Sequence, residues 1–461
     1  MKILTLIFFM AIPVKLFAGT LYVDTGGLAT NSGSTDSPTA TVSLATVTIS
    51  GTQIQWPGGT DLSSVVTSGA TQSSVYVQGA TNSNQQIFWV ASVDDGLDIT
   101  SVTVAITGVT NSSATLGGQH VWTSARIEGA VRAGDKVIIN NDVAAVAATV
   151  ITARNAGTSA GGYVVFEGKS GVRPKLTTTN TSVVVNTNSL ALIKISNLEL
   201  IQQGASGNAV TASGVGFWAD NVKVSDAGGH GFSLTGTSNM KITRSEVSGV
   251  GLDGINIGGA SASHFMIFGN YIHDAGDDGI QSSVGGAGLN FTGNTVDTCG
   301  GNGLNDSSLP GASVNIKYVF GNTIYNSGVD GINISDDDSN MLIVNNLLLD
   351  NGNVGTEYNI DAASPGNLVL SMYNIYSIAG GIGGGNTNNV SLSATDLTSD
   401  PLLTNAATGD FTPATNSPAL GAGYPGSFLG GSTGYLDIGA IQKETSSGGF
   451  TDSFKNWSSE F

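Results

Sequence analysis

The chain has 461 residues, 65 of them glycine, and a formal net charge of −18, although only 11% of its residues are charged. This acidic balance excludes the basic surface that nucleic-acid binding requires, and the 40% of hydrophobic residues, which fall in short regular runs, exclude a disordered chain. Cys299 is the only cysteine, so no intrachain disulfide can form. Core packing and backbone hydrogen bonds must therefore stabilise the fold.

The first 18 residues have the pattern of a secretory signal peptide. Lys2 supplies the positive charge, residues 3–14 are apolar, and Leu16-Phe17-Ala18 is a typical cleavage site. A retained anchor is the alternative, but Lys15 interrupts a run that would need about 20 apolar residues to span a bilayer. We expect cleavage after Ala18, a secreted or cell-surface location, and no membrane span in the mature chain.

The region before residue 137 predicts three short units. Residues 19–38 give a first strand, at 21–24, and a turn-rich loop. Residues 39–120 alternate apolar and polar side chains over several short runs, which predicts a small β domain. Residues 121–136 predict a capping helix, because Ser124 can cap its N-terminus and Gly134 can end it.

Residues 137–380 carry a repeat of about 24 residues, the length of one solenoid coil. Each coil should hold three short strands with Ile, Val, Leu and Phe facing inward, and neighbouring coils should lie about 4.8 Å apart. The repeat is marked by an asparagine column at one turn, with Ser245 in the one vacancy: Asn197, Asn221, Asn270, Asn294, Asn322, Asn346 and Asn374. We expect the stacked amides to bond from coil to coil.

The end of the chain changes character twice. Residues 381–443 are turn-rich with short strands, and they predict a C-terminal cap that covers the open edge of the solenoid. Residues 444–461 are a Ser/Gly linker and an aromatic tail, FTDSFKNWSSEF, whose four aromatic side chains fall on one helical face. The tail is either a short cap docked on the body or a segment for sorting or partner docking.

A second column of side chains follows eight residues after the asparagine column. Its members precede the recurrent glycine of each coil: His230, Asp253, Asp278, Asn302 and Asp330. Stacking should place Asp253 and Asp278 about 5 Å apart, a spacing typical of the carboxylate pair of a retaining glycosidase. Mutual repulsion would raise one pKa, as a general acid requires. The bland alternative is that Asp-Gly is simply favourable turn chemistry, repeated because the coil repeats.

Calcium binding is a further hypothesis. Residues 246–361 hold fourteen acidic residues and one basic residue, Lys317, a net charge of −13. Hard cations such as Ca²⁺ prefer clustered carboxylate oxygens. The best candidates for ligands are the pair Asp277 and Asp278 and the run Asp336, Asp337 and Asp338. The spacing matches no EF-hand loop, and solvated acidic turns are the alternative explanation.

Several segments resemble secreted proteins of the pectate-lyase-like right-handed parallel β-helix superfamily: YVDTGG, AVRAGDKVII, NYIHDAGDDGI, NTIYNSGVDGI and DPLLTNAATGDFTPATNSPALGAG. The resemblance covers most of residues 121–442. It implies an all-β fold, a right-handed parallel β-helix preceded by a β domain and a capping helix and closed by a C-terminal cap. Because the superfamily includes lyases, hydrolases, epimerases, adhesins and phage spikes, the resemblance specifies the fold far better than the function.

Three functions remain open at this point. The first is a secreted protein that binds or cleaves extracellular polysaccharide. GDDGIQ at 276–281 and GGHG at 228–231 are similar to the acidic and histidine turns of galacturonase-type hydrolases. The resemblance, together with the spacing, implies Asp253 and Asp278 as the catalytic pair, with Asp277 and His230 in support.

The second is a non-enzymatic adhesin or a virion-associated spike, which would allow a trimer. The third is a Ca²⁺-dependent polysaccharide lyase. It ranks below a hydrolase, because such lyases use an Arg or Lys base, and the basic residues near the acidic column, Lys241, Arg244 and Lys317, lie outside it. Whether the protein is an enzyme stays undecided.

Overall fold

The computed structural model describes most of residues 133–443 and, before them, the backbone of eight short strands between residues 20 and 128. The predicted signal peptide, Asp336 to Asp338 and the aromatic tail lie outside the described residues. The gaps within the described part are 146–148, 154–155, 236–237, 260–262, 284–287, 308–315, 336–339, 353–357, 363–367, 378–384 and 425–435.

The elements are almost all short strands. The first fourteen are β1 (Thr20–Val23), β2 (Ala45–Gly51), β3 (Gln53–Gln55), β4 (Ser74–Gln78), β5 (Ile87–Val93), β6 (Ser101–Val104), β7 (Val109–Gly117), β8 (Ile127–Glu128), β9 (Lys136–Ile139), β10 (Val143–Ala145), β11 (Ile151–Thr152), β12 (Val164–Gly168), β13 (Lys175–Thr178) and β14 (Val185–Asn186). The next twelve are β15 (Ile193–Gln202), β16 (Val210–Ala212), β17 (Trp218–Ser225), β18 (Phe232–Thr235), β19 (Lys241–Thr243), β20 (Glu246–Val250), β21 (Ile255–Gly258), β22 (Phe265–Phe268), β23 (Tyr271–Ala275), β24 (Ile280–Ser283), β25 (Leu289–Thr292) and β26 (Thr295–Asp297). The last are β27 (Leu304–Asp306), β28 (Ile316–Phe320), β29 (Thr323–Tyr325), β30 (Ile332–Ile334), β31 (Asn340–Val344), β32 (Leu347–Leu349), β33 (Tyr358–Ala362), β34 (Leu368–Met372), β35 (Ile375–Ser377), β36 (Gly385–Asn388), β37 (Leu403–Asn405), a 3₁₀ turn (Ala406–Thr408) and β38 (Asp410–Pro413).

The N-terminal strands belong to two different sheets. Strand β1 pairs in parallel with β9, Thr20 opposite Lys136, so it joins the solenoid although more than a hundred residues separate the two strands. Strands β2 to β7 pair only in antiparallel fashion and close into their own sheet. A separate antiparallel unit is thus inserted between the first and second strands of one solenoid sheet.

The predicted capping helix over residues 121–136 is wrong at its centre. Ile127 and Glu128 form β8, which pairs in parallel with Ile151 and Thr152 of β11. Ile127 has an intrinsic preference for strands, and a parallel partner supplies hydrogen bonds that an isolated helix of this length could not match. Local helix signals were therefore overridden by pairing to the next coil.

The solenoid has three faces, each a ladder of parallel strands. The first face contains β9, β12, β19, β22, β25, β28, β31, β34 and the N-terminal halves of β15 and β17. The second face contains β10, β13, β20, β23, β26, β29, β32, β35 and the C-terminal halves of β15 and β17. The third face is an eleven-stranded sheet from β8 to β36.

The core runs through the interior of these three faces. The isoleucines predicted to point inward are buried, with Ile255, Ile257, Ile332 and Ile334 at 0% exposure and Ile280 at 2%. Their strands alternate buried and partly exposed positions, as strands with one face on a core do. The predicted all-β parallel solenoid is confirmed.

The asparagine column is two columns rather than one. Asp220 pairs with Thr243 and Lys223 with Glu246, which places Asn221 beside Arg244 and not beside Ser245. Asn221 has a φ of 54° and Arg244 a φ of 49°, so both occupy a left-handed bend position. Asparagine tolerates this conformation better than most residues, which explains Asn197 and Asn221 without any ladder. The prediction of a single column was off by one residue in the first two coils.

The later coils form a true amide ladder, defined as Ser245, Asn270, Asn294, Asn322, Asn346, Asn374 and Asp396. From Asn294 onward, each Oδ1 accepts the backbone N–H and the side-chain amide of the preceding coil, as Asn322 does from Asn294 at 2.9 and 3.0 Å. Asn270 Oδ1 accepts only the backbone N–H of Ser245. Each Nδ2 also donates to a carbonyl of the first face, as Asn294 does to Ile267 at 2.9 Å. Asp396 ends the ladder by accepting from Asn374. The predicted bonding from coil to coil is present from Ser245 onward.

The C-terminal segment packs on the second face of the last coils. Ala419 and Ile438 are buried against Leu347, Leu349 and Ile375. Phe411 meets the ring of Tyr325 edge-on at 5.6 Å. The segment thus shields apolar outward side chains that the last second-face strands would otherwise leave in water.

Candidate functional site

The site predicted from the sequence lies at the bend between the second and third faces. The residues at this bend form a turn column, defined as Asn208, His230, Asp253, Asp278, Asn302 and Asp330. Each side chain lies within hydrogen-bond distance of a backbone N–H of the next coil, at 2.6–3.3 Å, and the Asn and Asp members accept from it. Asp253 and Asp278 are only 2% and 3% exposed. The column is therefore built into the scaffold, in the same way as the amide ladder.

The outer oxygens of the two aspartates carry a second set of hydrogen bonds. Asn256 donates to Asp253 Oδ2 at 2.7 Å, and Asn305 donates to Asp278 Oδ2 at 2.7 Å. His230 Nδ1 lies 3.1 Å from Asp253 Oδ2 and 3.3 Å from the Asp253 amide. It therefore donates to the carboxylate or accepts from the amide, according to its protonation.

Asp277 adds a third carboxylate to this bend. Asp253, Asp277 and Asp278 each place an oxygen within 4.8 Å of the other two, and Asp277 is exposed. Gly301 makes this approach feasible, because a Cβ there would lie 2.5 Å from Asp278 Oδ1 and 2.7 Å from Asp277 Oδ1. The structure thus brings together all four residues predicted as catalytic, His230 through its contact with Asp253, and two of the five predicted as calcium ligands. Asp336, Asp337 and Asp338 lie outside the described residues.

The pKa of Asp278 is raised above the ordinary aspartate value. Burial raises the pKa of Asp278, and repulsion from Asp253 raises it further, against the opposing effect of the Asn305 and Asn302 donors. The direction is the one expected from the sequence, but its main cause is burial, and repulsion between the carboxylates contributes less. A carboxyl group with a raised pKa can hold a proton at a pH where an ordinary carboxyl group is ionised.

The third face presents a polar column to solvent directly beside this bend. One residue per coil forms the third-face ladder, defined as Asn256, Gln281, Asn305, Asn333, Asp361 and Asn388. Asn256 donates to Gln281 Oε1 at 2.5 Å, and Asn388 donates to Asp361 Oδ1 at 2.8 Å. The ladder follows the predicted parallel polar column from Asn256 to Asn333 and extends it by two coils.

Sequence reasoning missed an acid–base group on the second face. Tyr271 and His273 stack with ring centroids 4.4 Å apart. His273 bonds to Glu246 at 3.4 Å and to Asp274 at 2.7 Å, while Tyr271 donates to Asp297 at 3.2 Å. Tyr271 and His273 are two residues apart on one strand, so their side chains lie on the same side of it. Glu246 and Asp297 lie one coil away on either side. The repeat period alone could therefore have predicted that these four side chains meet.

The pKa values in this group are set by competition between burial and pairing. Burial lowers the pKa of His273, but its hydrogen bonds to Glu246 and Asp274 outweigh burial and raise it. Burial raises the pKa of Glu246, but the hydrogen bonds from His273 and Lys223 lower it overall. The group therefore favours a charged imidazole between two carboxylates.

The basic residues near the acidic column are engaged elsewhere. Lys317 is 5% exposed and pairs inside the core with Asp306, which has no exposure. Arg244 donates three hydrogen bonds to Asp220 on the first face, at 2.6, 2.6 and 2.9 Å. Lys241 lies 5.5 Å from the Trp218 ring on that same face. The expectation that these cations lie outside the acidic column agrees with their positions.

Comparison with known proteins adds to this geometry. The family model described as "Right handed beta helix region" matches residues 175–315 and 206–358. No curated protein gives a significant match. In the described part of the chain, no helix has the length and hydropathy of a membrane span.

The solved structures that match this fold have low sequence identity to the chain. The A-module of mannuronan C-5 epimerase AlgE4 from Azotobacter vinelandii is 13% identical over 58% of this chain and 91% of its own, with a TM-score of 0.36. An alginate lyase from Paenibacillus sp. is 14% identical over 59% of this chain and 100% of its own, with a TM-score of 0.33. The tailspike gp49 of the Acinetobacter baumannii bacteriophage Fri1, a capsular polysaccharide depolymerase, is 11% identical over 73% of this chain and 68% of its own, with a TM-score of 0.33.

Similarity at this level assigns no activity, and the fold rests on the strands and on the family model. The described coils form a parallel β-helix, and the family model matches the coils that carry the turn column and the amide ladder as far as Asn346.

Proposed function

We propose that this protein binds an extended extracellular glycan along its third face. The observation that carries the proposal is the third-face ladder, a line of neutral amides and one carboxylate that recurs once per coil. Amide groups both donate and accept hydrogen bonds, so they suit sugar hydroxyls, which do the same. Coils about 4.8 Å apart would offer such groups at a regular spacing along a polymer.

The net charge around the third-face ladder indicates which class of glycan could bind there. Residues 246–361 have a net charge of −13, and Lys317, their one basic residue, is paired in the core. Such a surface repels polyanions. The proposed ligand is therefore a neutral glycan, reached after secretion through the signal sequence predicted at residues 1–18.

A glycan array followed by calorimetry tests this proposal. The double variant Gln281→Ala/Asn333→Ala removes two ladder amides, each worth about 0.5–1.5 kcal/mol, and should weaken binding about tenfold. Asn340→Ala removes an amide from the first face and serves as the matched control. Equal affinities of wild type and double variant would refute the proposed face.

Cleavage by Asp253 and Asp278 is the second candidate, favoured by the raised pKa of Asp278. The closeness of the two carboxylates resembles a retaining pair, whose carboxyl groups lie about 5–5.5 Å apart. In such a reaction Asp278 would protonate the glycosidic oxygen while Asp253 attacks the anomeric carbon, and water would then release the sugar. The hydrogen bonds already made by these oxygens argue for binding as the primary function.

A reducing-sugar assay on the glycans found by the array separates the two candidates. If the pair is catalytic, Asp278→Asn abolishes product formation and leaves glycan affinity near the wild-type value. Binding without turnover in both proteins would eliminate the hydrolase and leave a non-enzymatic glycan-binding protein, such as an adhesin or spike.

Calcium is proposed as a ligand of the same bend, on the basis of the three carboxylates there. The ion would be held by Asp277, with Asp253 and Asp278 as neighbours, and would reduce their mutual repulsion. Calorimetric titration with CaCl₂ should show one binding site. Asp277→Asn should weaken calcium binding at this site, whereas Asp361→Asn, the control on the third face, should leave it unchanged. No heat of binding in the wild type would exclude the site.

A further inference from the structure

The first face ends in an exposed apolar surface. We define the apolar patch as Ile316, Tyr318, Leu342, Leu368 and Leu370, on the adjacent strands β28, β31 and β34. Tyr318, Leu342 and Leu370 form one contiguous row, and Ile316 and Leu368 flank Asn340 in the row beside it. Leu368 is 58% exposed and Leu370 is 51% exposed. Contiguous apolar patches on a soluble surface mark contact sites.

The same outward column mixes charged, polar and apolar side chains in the earlier coils. Lys194, Trp218 and Lys241 precede Met266 in it, and the ammonium of Lys194 lies 3.5 Å from the centre of the Trp218 ring. The change to leucine is therefore confined to the last coils. It coincides with the coils whose second face is covered by the C-terminal segment through Ala419 and Ile438. Among the described residues, no comparable segment packs on the first face there.

The described chain ends close to this patch. Gly439 donates to the Asn345 carbonyl at 2.8 Å, and Ala440 donates to Thr323 Oγ1 at 3.0 Å. Gln442 and Phe320 line one cavity. Phe320 lies on β28, two residues beyond Tyr318 of the patch. The chain therefore reaches the bend between the first and second faces just before residue 444.

The remaining chain has the length and composition to cover the patch. Residues 444–449 are six linker residues, which can span up to about 20 Å when extended. Phe450, Phe454, Trp457 and Phe461 follow at helical spacing. If helical, they would form a stripe about 17 Å long, enough to cross three strands that span about 10 Å.

We propose that the aromatic tail, residues 450–461, docks on the apolar patch of its own chain. The tail would then be a second closing element, which covers the first face as the C-terminal segment covers the second. A second copy of the chain, with its tail exchanged, and an unrelated apolar partner are the other occupants that the experiment must distinguish.

Cysteine cross-linking in the full-length protein tests the proposal. Cys299, the native cysteine, is 3% exposed, and burial raises the pKa of its thiol, so it should not compete for disulfide formation. The test variant carries Leu368→Cys, at the edge of the patch, and Ser458→Cys, next to Trp457. The control variant carries Leu252→Cys together with the same Ser458→Cys. Leu252 is exposed at the bend between the second and third faces.

Mild oxidation should give an intrachain disulfide in the Leu368→Cys variant and only background in the control, as measured by non-reducing electrophoresis and peptide mapping. A disulfide between two chains would overturn docking in cis and identify a second copy as the occupant. Equal yields in both variants, or none in either, would overturn docking on the patch. Adding Trp457→Asp should lower the intrachain yield to the control level.

Discussion

The amide ladder and the turn column both link neighbouring coils through side-chain hydrogen bonds, but they use different functional groups. Both stand at a bend, and both use a side-chain oxygen to accept the backbone N–H of a neighbouring coil. In the amide ladder, Asn294 also donates through Nδ2, to Asn322 and to the Ile267 carbonyl. In the turn column, Asp278 has no proton to donate when ionised, so its outer oxygen takes a donor from Asn305.

This difference explains why the turn column, unlike the amide ladder, is hydrogen-bonded to side chains of the third face. An amide that both donates and accepts satisfies itself within the column and leaves no charge. A buried carboxylate leaves a charge that has to be stabilised by groups further out. The turn column is therefore coupled to the third-face ladder, and through it to solvent, while the amide ladder is closed.

The largest effect should come from making the first column resemble the second. Asn294→Asp removes the two donations from Nδ2 and buries a charge beside Asn322 Oδ1, so we expect a loss of about 3–5 kcal/mol at neutral pH. The new carboxyl should have a raised pKa, so the loss should shrink as the pH falls below that value. Urea unfolding at neutral and at acidic pH measures both.

A smaller loss is expected when the amide is removed without adding charge. Asn294→Ala orphans buried donors and acceptors, including the amide N–H of Asn270, at a cost of about 1–3 kcal/mol. Asn333→Ala, which removes a solvent-facing amide from the third face, is the matched control and should stay within about 0.5 kcal/mol. A melting temperature for Asn294→Ala equal to that of the control would contradict the ladder.

The smallest effect should come from making the second column resemble the first. Asp278→Asn keeps the acceptor, so we expect little change of stability at low pH. The pKa of Asp278 is raised in the folded state, so the wild type binds this proton more tightly when folded. Its stability should therefore fall as the pH rises from the ordinary aspartate pKa through the raised one.

Asp278→Asn removes that titration. Unfolding free energies measured across this pH window should be flatter for the variant than for the wild type. Parallel profiles would mean that the Asp278 carboxyl does not carry the pH dependence, and they would remove the argument for a proton donor at this bend.

The repeat phrases were enough to predict the solenoid, because a period of 24 residues permits few other folds. The inward isoleucines, the amide bonds from Asn270 to Asn374 and the closeness of Asp253 and Asp278 follow from that period alone. The period failed at Asn197 and Asn221, because a shift of one residue at a bend leaves the sequence spacing almost unchanged. It failed also at residues 127–128, where a partner strand outweighed local helix signals.

The sequence by itself determined which side chains lie next to each other in successive coils, because a side chain that recurs at a fixed period must meet its own counterpart in the next coil. Only the tertiary structure decided which atoms of those side chains are already satisfied. Asp253 and Asp278 are buried acceptors, Lys317 is committed to Asp306, and Tyr271 meets His273 and Asp297. Burial and hydrogen-bond partners depend on all three faces at once, and no single repeat phrase contains them.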